Sequence, residues 1–463
     1  MFYNEHSGKI GGHLHDVYDG NALSEKGLAW FLELGFVPGE LTLFDGIKCL
    51  PSGAEVEWDG KIANVKNYYR YEDLIRPEQH EGKSHKDLFD EGLALCRSTV
   101  HKLYTSSNKK PVLPITSGLD SRLLLGALME CTTADKIETY TWGLPNTYDL
   151  DVGAQLAKHY GIKHREFDVT KYELTEKRLL DYAKLTDCNA SLFKTWPVED
   201  ILSLYGEDEH SIWMGLLGGS ASGANLLWSQ LENPYQAFFP QNTSGQRFSS
   251  FAAIFMDMRP EMSDVKYLAR DFNSVSHDVL DLYFHHGGYI AHCKILRGLD
   301  ITIPFADPDL LSFFLSLPIE QRLRRILLWE IIVKGFPHLA DYPSNRTYGA
   351  PLSQVKSKSS KISRVINRIK GKAANQQKRR KFMDLQNMIR KDDFYHNLFK
   401  SKLQNLADRK ILKNSHLIDQ LWREHLGTLG PLKHNHETGL NTLASLEIIL
   451  ESIGFIGNKV VED

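Results

Sequence analysis

The chain holds a turn of small polar residues in the stretch PVLPITSGLDSRLLLGAL, Pro111 to Leu128. The apolar residues on either side predict a buried strand before the turn and a helix after it. Such a turn offers unpaired backbone N–H groups and the positive end of a helix dipole to an anion. Gly118 lets the backbone approach that anion closely. Thr116, Ser117 and Ser121 add hydroxyl donors, so the stretch predicts a phosphate-binding turn.

Asp120 is the one acidic member of this turn. A carboxylate repels a phosphate unless a cation lies between them, which makes Asp120 a predicted ligand of Mg²⁺. The turn is not a Walker loop, because the GK[ST] ending is absent. Taken alone, these residues are equally typical of a tight strand-to-helix turn capped by small polar side chains, and that alternative stays open.

Composition limits the class of protein. A length of 463 residues suggests two or three domains, and a net charge of -3 gives no basic field for nucleic acid. The five cysteines form no CxxC pair, which favours free thiols in a reducing compartment. The first residues lack the apolar core of a signal peptide, and no apolar run reaches 18 residues. We therefore predict a cytoplasmic protein without a nucleic-acid partner.

Around the turn, strand-like and helix-like segments alternate. The predicted strands are Val112 to Ile115, Ile137 to Trp142, His164 to Val169 and Ser211 to Leu217. The predicted helices between them are Arg122 to Glu130 and Asp151 to Tyr160. This alternation predicts an α/β fold with a parallel sheet flanked by helices. Ligands bind at the carboxyl ends of such strands, where the turn after Ile115 lies.

The flanking regions have a different character. Residues 1–75 carry glycine-rich turns and short strands, of which Ala54 to Trp58 is a predicted hairpin arm. Helical spacing predicts further helices at 85–107, Leu310 to Leu317, Arg322 to Val333 and Thr442 to Ile453. The predicted division is a small β-rich segment at 1–75, an α/β domain at 76–265 and a mostly helical part at 266–463, with a basic excursion at 355–400.

Several segments resemble one known family, in the family's order. TSGLDS is similar to the SGGLDS pyrophosphate loop of ATP pyrophosphatases, the PP-loop. TYTWGLPNTYDLDVGAQLAKHYGIKHREFDV and ITIPFADPDLLSFFLSLP resemble stretches of the asparagine synthetase-like family, which reads VPFLDHRLVEFALSLP at the second. AWFLELGFVPGELTLFDGIKCLPSG resembles the end of that family's glutaminase half, FGYVPGPRTLFKGIKRLPPG. The resemblance covers most of residues 22–350.

The resemblance implies an adenine nucleotide alpha hydrolase-like fold that uses ATP and Mg²⁺. It implies amidation or amide-bond formation through an acyl adenylate, with ATP lying across the carboxyl ends of the strands. Asp120 would hold the metal and serve catalysis. The residues that the resemblance places against the nucleotide are Ile115, Thr116, Ser117, Gly118, Asp120, Ser121, Trp142, Met214 and Gly215.

The chain departs from the family pattern at a second motif. The family's SGEGADELFGG aligns with MGLLGGSASGA, so three carboxylates are replaced by Leu216, Gly219 and Ser220. Asp120 would then be the remaining carboxylate for a metal, and Mg²⁺ often uses only one or two. The departure leaves two alternatives, a ligase that still works and a non-catalytic relative that binds a nucleotide or a partner.

A third motif supplies a candidate catalytic cation. The family's RKKQGFGVP is similar to SNRTYGAPL here, and its lysine falls on Asn345 with Arg346 adjacent. Arg346 is predicted to stabilise the pentavalent phosphorus of the adenylation step. The alternative, a surface arginine in a loop, is equally compatible with the sequence.

The N-terminal segment bears on the nitrogen source. Family members that use glutamine carry a nucleophilic cysteine at the position of Phe2, so glutamine hydrolysis is predicted to be absent. Nitrogen would come from ammonia or an amine, supplied free or by another protein. Truncated relatives of this kind suggest a uronic acid or a peptide as the carboxylate substrate.

One charged stretch has no counterpart in these motifs. Residues 356–381 contain eleven Lys or Arg and no acid. The stretch could contact an anionic membrane surface, or it could be a solvated excursion.

Overall fold

A computed structural model describes the chain over most of its length. The described residues are 1–51, 53–59, 63–67, 69–194, 203–206, 208–224, 226, 250–265, 279–283, 299–347, 349–354, 383–428, 436–456 and 460–461. The basic stretch 356–381, with its predicted membrane contact, lies outside the described residues. The later part of the predicted excursion, from residue 383, is largely helical.

The N-terminal segment is built from short strands and two helices. Its strands are β1 (Phe2–Asn4), β2 (Ile10–Gly11), β3 (Leu23–Ser24), β4 (Ile47–Cys49), β5 (Ala54–Trp58) and β6 (Ala63–Asn67). Its helices are α1 (Leu14–Val17) and α2 (Glu25–Leu34). Strand β1 pairs antiparallel with β2 and β4. The predicted hairpin arm is confirmed, because β5 pairs antiparallel with β6.

Helix α3 (His85–Thr105) confirms the helix predicted at 85–107. Ser84 caps its start, since the Ser84 hydroxyl accepts the Asp87 N–H while the Asp87 carboxylate accepts the Ser84 N–H. The buried residues Leu88, Cys96 and Val100 share one face of the helix, which packs against the helix that follows the phosphate turn.

A five-stranded parallel sheet forms the centre of the α/β part and confirms the predicted α/β class, while the adenine nucleotide alpha hydrolase-like fold stays a prediction. Its strands are β7 (Lys110–Pro114), β8 (Glu138–Gly143), β9 (Lys163–Asp168), β10 (His210–Trp213) and β11 (Asp300–Thr302). The helices along it are α4 (Leu119–Cys131), α5 (Tyr148–Tyr160) and α6 (Glu176–Leu185). The order is β11-β10-β7-β8-β9. Strand β11 was not predicted, because three residues are too few to show a period.

The order of the strands creates a crevice. From β7 the chain passes to β8, which lies on one side of β7. It later returns to form β10 on the other side of β7. The connections therefore diverge at the carboxyl ends of β7 and β10, which is where ligands bind in open α/β sheets. The predicted strand Ser211 to Leu217 is too long, since β10 ends at Trp213. Leu217 has a left-handed φ of 67°, which a strand cannot contain.

The remaining described elements are mainly helical. They are α7 (Gly218–Ala221), α8 (Phe251–Met256), α9 (Pro308–Ser316), α10 (Ile319–Arg322), α11 (Ile326–Gly335), α12 (Pro337–Ala340), α13 (Leu385–Lys391), α14 (Asp393–Arg409), α15 (Leu417–Leu426), α16 (Glu437–Ser452) and the strand β12 (Val460–Val461). The single helix predicted from Arg322 to Val333 is wrong. Arg324 and Arg325 have φ of 58° and 63°, and this left-handed pair separates α10 from α11.

One hydrophobic core runs from the N-terminal segment to the last helix. Phe2 and Trp30 belong to the same buried cluster as Leu124 in α4 and Ile449 in α16. The domain boundaries at residues 75 and 265 stay predictions. Among the helices of the described residues, none combines the length and the apolar composition that crossing a membrane requires.

Candidate functional site

The phosphate turn lies between β7 and α4, with its own hydroxyls arranged around the backbone. The Oγ of Ser121 lies 3.2 Å from both the N and the Oγ1 of Thr116. The N–H of Gly118 donates to the Oγ1 of Thr116 at 3.1 Å. Ile115 is buried below them, and its N–H donates to the carbonyl of Tyr140 in β8 at 2.9 Å. The turn is thus preformed and anchored to the sheet.

Asp149 holds the middle of this turn. Its Oδ1 accepts the N–H of Ser117 at 2.9 Å and the hydroxyl of Ser117 at 2.6 Å. Asp149 lies in the first turn of α5, which follows the neighbouring strand β8. Asp149 belongs to a stretch that resembles the asparagine synthetase-like family, but no role was predicted for this aspartate. A phosphate that uses the Ser117 N–H has to displace this carboxylate.

Asp120, the predicted metal ligand, is paired with an arginine. The Nη1 of Arg325 donates to the Oδ2 of Asp120 at 3.0 Å, and its Nη2 donates to the Oδ1. Arg325 is buried and also donates from Nε to the hydroxyl of Ser222 at 2.7 Å and from Nη2 to the carbonyl of Gly218 at 3.2 Å. Arg325 was missed in the sequence, because it fell inside an apparently continuous helix.

The glycines of the second motif pack directly against Asp120. A Cβ on Gly215 would lie 2.7 Å from the Asp120 Cβ, and one on Gly218 would lie 2.6 Å from the Asp120 Oδ1. Among the described residues, a Cβ on Gly219 would meet the Cβ of Ala224 alone, at 3.7 Å. Gly215 and Gly218 are therefore needed for close packing at the site, while the position that the family fills with a second aspartate has room for a side chain.

Arg346 reaches the same place from a short turn, Asn345–Thr347. Its side chain is exposed, yet the surrounding protein desolvates it and lowers its pKa to about 10, with a further lowering by the charge of Arg325 and an opposing effect of Asp120. The structure therefore brings Arg346 and Asp120, both predicted, together with Arg325. Two guanidinium groups therefore lie near the Asp120 carboxylate in this part of the crevice.

Arg122 connects the phosphate turn to the Arg346 segment. It is fully buried, and burial lowers its pKa to about 10. Its guanidinium donates to the carbonyl of Ser117 at 3.3 Å and to the carbonyls of Leu339 and Tyr342 at 3.0 and 2.9 Å. The hydroxyl of Ser344 donates to the same Ser117 carbonyl at 2.8 Å. These bonds fix the two predicted site segments relative to each other.

Trp142 and Met214 lie at the carboxyl ends of β8 and β10. Both are partly exposed and pack against one apolar cluster that contains Tyr140, Phe167 and Ile212. An apolar surface beside a phosphate site suits the base and sugar of a nucleotide. Their contact with adenosine stays a prediction, as do the nucleotide contacts of the turn.

These features define an α/β protein with a crevice at the point where its strand order reverses, beside a turn of small polar residues and two arginines. No protein-family model matches the chain. A protein of Methanocaldococcus jannaschii named "Putative asparagine synthetase (glutamine-hydrolyzing) 2" is 24% identical over 198 residues, which is 40% of this chain and 38% of that protein. The chain thus matches well under half the length of this curated relative. The match supports at most a distant asparagine synthetase-like relationship.

Proposed function

We propose that the chain catalyses ATP-dependent amidation or amide-bond formation through an acyl adenylate. The observation that carries this proposal is the meeting of Asp120, Arg325 and Arg346 beside the phosphate turn. Guanidinium groups bind phosphate oxygens through paired hydrogen bonds, and here two of them flank a turn with N–H and hydroxyl donors. The triphosphate of ATP would lie there, with its adenosine toward Trp142 and Met214.

In the proposed first step, an oxygen of a substrate carboxylate attacks the α-phosphorus of ATP and forms a P–O bond. The bond between the α-phosphorus and the oxygen bridging to the β-phosphorus breaks, and pyrophosphate leaves with that electron pair. Arg346 neutralises negative charge at the α-phosphorus. Arg325 exchanges one of its hydrogen bonds to Asp120 for a bond to a leaving phosphate oxygen.

In the second step, the nitrogen of ammonia or an amine attacks the acyl carbon of the adenylate. The bond from that carbon to the AMP oxygen breaks, AMP leaves, and the nitrogen loses a proton. The carboxylate belongs to a small molecule, a glycan such as a uronic acid, or a peptide. Glutamine is not the nitrogen source in this proposal.

The residues present fit the phosphates better than they fit a resident Mg²⁺. Asp120 would be its carboxylate ligand, but that carboxylate already accepts two hydrogen bonds from Arg325. Mg²⁺ would supply charge neutralisation on the phosphates and can be carried in by the nucleotide itself. For this reason none of the steps above depends on a metal fixed in advance.

The test is release of pyrophosphate from ATP with uronic acids, short peptides or aspartate as carboxylates. We expect release and amide formation with ammonium or an amine as the nitrogen source and no amide with glutamine. Arg346→Met is expected to lower the rate about 10²- to 10³-fold, as the loss of one charge-stabilising donor does elsewhere. Arg97→Met, which changes a surface arginine paired with Glu130, is the matched control. Equal rates in Arg346→Met and Arg97→Met would remove Arg346 from the mechanism.

A second candidate is a relative that binds nucleotide without turning it over. The Asp120–Arg325 pair favours it, together with the loss of carboxylates at Leu216, Gly219 and Ser220. Calorimetry with Mg-ATP separates the two: binding without pyrophosphate release on any carboxylate favours the second candidate. Failure to bind Mg-ATP at high protein concentration contradicts both.

A further inference from the structure

Two histidines and an aspartate that have no part in the proposed catalysis lie close together in the fold. His13 and His15 belong to the stretch GGHLHD, and Asp187 follows helix α6. One ligand atom from each of the three residues lies within 4.8 Å of the other two. The two imidazole rings are stacked, with centroids 5.0 Å apart and 24° between their planes.

Two of these ligand atoms already have the separation of ligands on zinc. The Nδ1 of His13 is 3.2 Å from the Oδ1 of Asp187. Bonds of 2.0–2.2 Å at a tetrahedral angle place neighbouring N and O ligands of Zn²⁺ about 3.4 Å apart. The side chain of His15 is 46% exposed and its Nε2 lies 3.6 Å from the Oδ1 of Asp16, so the ring has to turn from Asp16 to complete the set.

Burial and a backbone hydrogen bond hold the Asp187 side chain next to His13. Its side chain is fully buried, and its Oδ1 also accepts the N–H of Leu14 at 3.2 Å. Its backbone has a left-handed φ of 52°, which costs energy in a non-glycine residue. A buried carboxylate that is held by a neighbouring backbone N–H is typical of ligands oriented by surrounding hydrogen bonds.

We propose that His13, His15 and Asp187 form a Zn²⁺ site that joins the N-terminal segment to the loop after α6. Imidazole nitrogens with a carboxylate are a ligand set that Zn²⁺ accepts, and three protein ligands leave a fourth position for water. His13 and Asp187 are 174 residues apart, so the metal binds the folded chain and stabilises it. The site is independent of the proposed ligase activity.

The test is titration of the full chain with Zn²⁺ in a chelator buffer, with Co²⁺ as a spectroscopic probe. We expect one tightly bound equivalent, visible absorption typical of four-coordinate Co²⁺, and a higher unfolding temperature with Zn²⁺. His15→Ala is expected to weaken Zn²⁺ binding at least 10-fold and to abolish the shift in unfolding temperature. Because His15 is largely exposed, this variant should fold, which circular dichroism checks.

His6 provides the matched control. Its Nε2 lies 2.9 Å from the Oδ2 of Asp45, a second histidine–aspartate pair in the same N-terminal segment. His6→Ala should leave Zn²⁺ affinity unchanged, whereas Asp187→Asn should lower it as His15→Ala does. The proposal is overturned if the wild-type chain binds no Zn²⁺, or if His15→Ala and Asp187→Asn bind Zn²⁺ as tightly as the wild type.

Discussion

Helix α4 carries an arginine–carboxylate pair at each end, and the two pairs have the same chemistry in different surroundings. Near its last turn, Glu130 accepts hydrogen bonds at 2.7 Å from both the Nε and the Nη2 of Arg97. In its first turn, Asp120 accepts two from Arg325. The side chains of Arg97 and Glu130 are 41% and 42% exposed, whereas those of Arg325 and Asp120 are 2% and 23% exposed.

The two pairs differ in exposure, so their energetics are expected to differ as well. Water screens the Arg97–Glu130 pair, and such pairs contribute about 0–1 kcal/mol. The buried Arg325 guanidinium has lost its water, so its pairing with Asp120 offsets a desolvation cost more than it adds stability. A buried charge beside a crevice makes Arg325 a candidate for ligand binding.

The largest expected difference follows from removing one carboxylate at each end of α4. Asp120→Asn leaves the buried Arg325 charge without its partner and should destabilise the protein by about 3–5 kcal/mol. Glu130→Gln should cost less than about 1 kcal/mol. Denaturant unfolding of both variants measures the difference. Similar losses of stability in the two variants would show that the burial of Arg325 does not determine the cost of removing its carboxylate partner.

A smaller effect is expected from crowding the buried pair. Gly218→Ala places a methyl group 2.6 Å from the Oδ1 of Asp120, whereas Gly219→Ala meets, in the part of the chain that the structure describes, Ala224 alone at 3.7 Å. We expect Gly218→Ala to destabilise the protein by about 1–3 kcal/mol, the usual cost of overpacking. Gly219→Ala should be near neutral or slightly stabilising, because alanine favours a helix over glycine. Thermal unfolding measures the stability of both variants. A neutral Gly218→Ala would mean that Asp120 moves away from the added methyl group at no cost in stability.

The pH dependence of nucleotide binding should distinguish the two ends of α4. The pKa of Arg346 is lowered to about 10, so its positive charge is present below that pH and is lost above it. ATP affinity should therefore fall as the pH rises through about 10. Asp120 opposes this lowering, so Asp120→Asn should move the midpoint to lower pH, while Glu130→Gln should leave it in place. Calorimetry from pH 8 to pH 10.5 tests this, and an unmoved midpoint in Asp120→Asn would contradict the electrostatic contact.

The smallest expected effect is that of salt on the exposed pair. Raising ionic strength should reduce the contribution of Arg97–Glu130 by a few tenths of a kcal/mol, because salt screens exposed charges. The Asp120–Arg325 pair should respond less, since it is largely shielded from ions. Double-mutant cycles at low and high salt measure both coupling energies. A stronger salt response in the buried pair would contradict the expected shielding of Asp120 and Arg325 from ions.

The sequence predicted the elements whose signals are local. Apolar runs and turn residues located β7, β8 and β9, and the cap at Ser84 marks the start of α3 within its own residues. The phosphate turn was found for the same reason, because its hydroxyls and glycine are neighbours in the chain. Asp120 was predicted from the chemistry of the turn and Arg346 from the resemblance, and the structure places them within electrostatic reach of each other.

What the sequence could not supply depends on tertiary contact. The apolar spacing from Arg322 to Val333 is continuous, so nothing local reveals that the backbone turns left-handed at Arg325 to reach Asp120. Asp149 meets Ser117 only because β7 and β8 are neighbours in the sheet. His13 and Asp187 are brought together by folding alone. The nucleotide contacts, the metal and the substrate stay predictions from resemblance.

Arg122 couples two segments of the crevice mechanically. One buried guanidinium holds carbonyl oxygens of the phosphate turn and of the segment that leads to Arg346. A ligand that pulled on the turn would therefore move Arg346 as well, because Arg122 and the Ser344 hydroxyl both link the two segments through the Ser117 carbonyl. The part of the site that would release pyrophosphate and the part that would stabilise the adenylate are expected to move as one rigid unit.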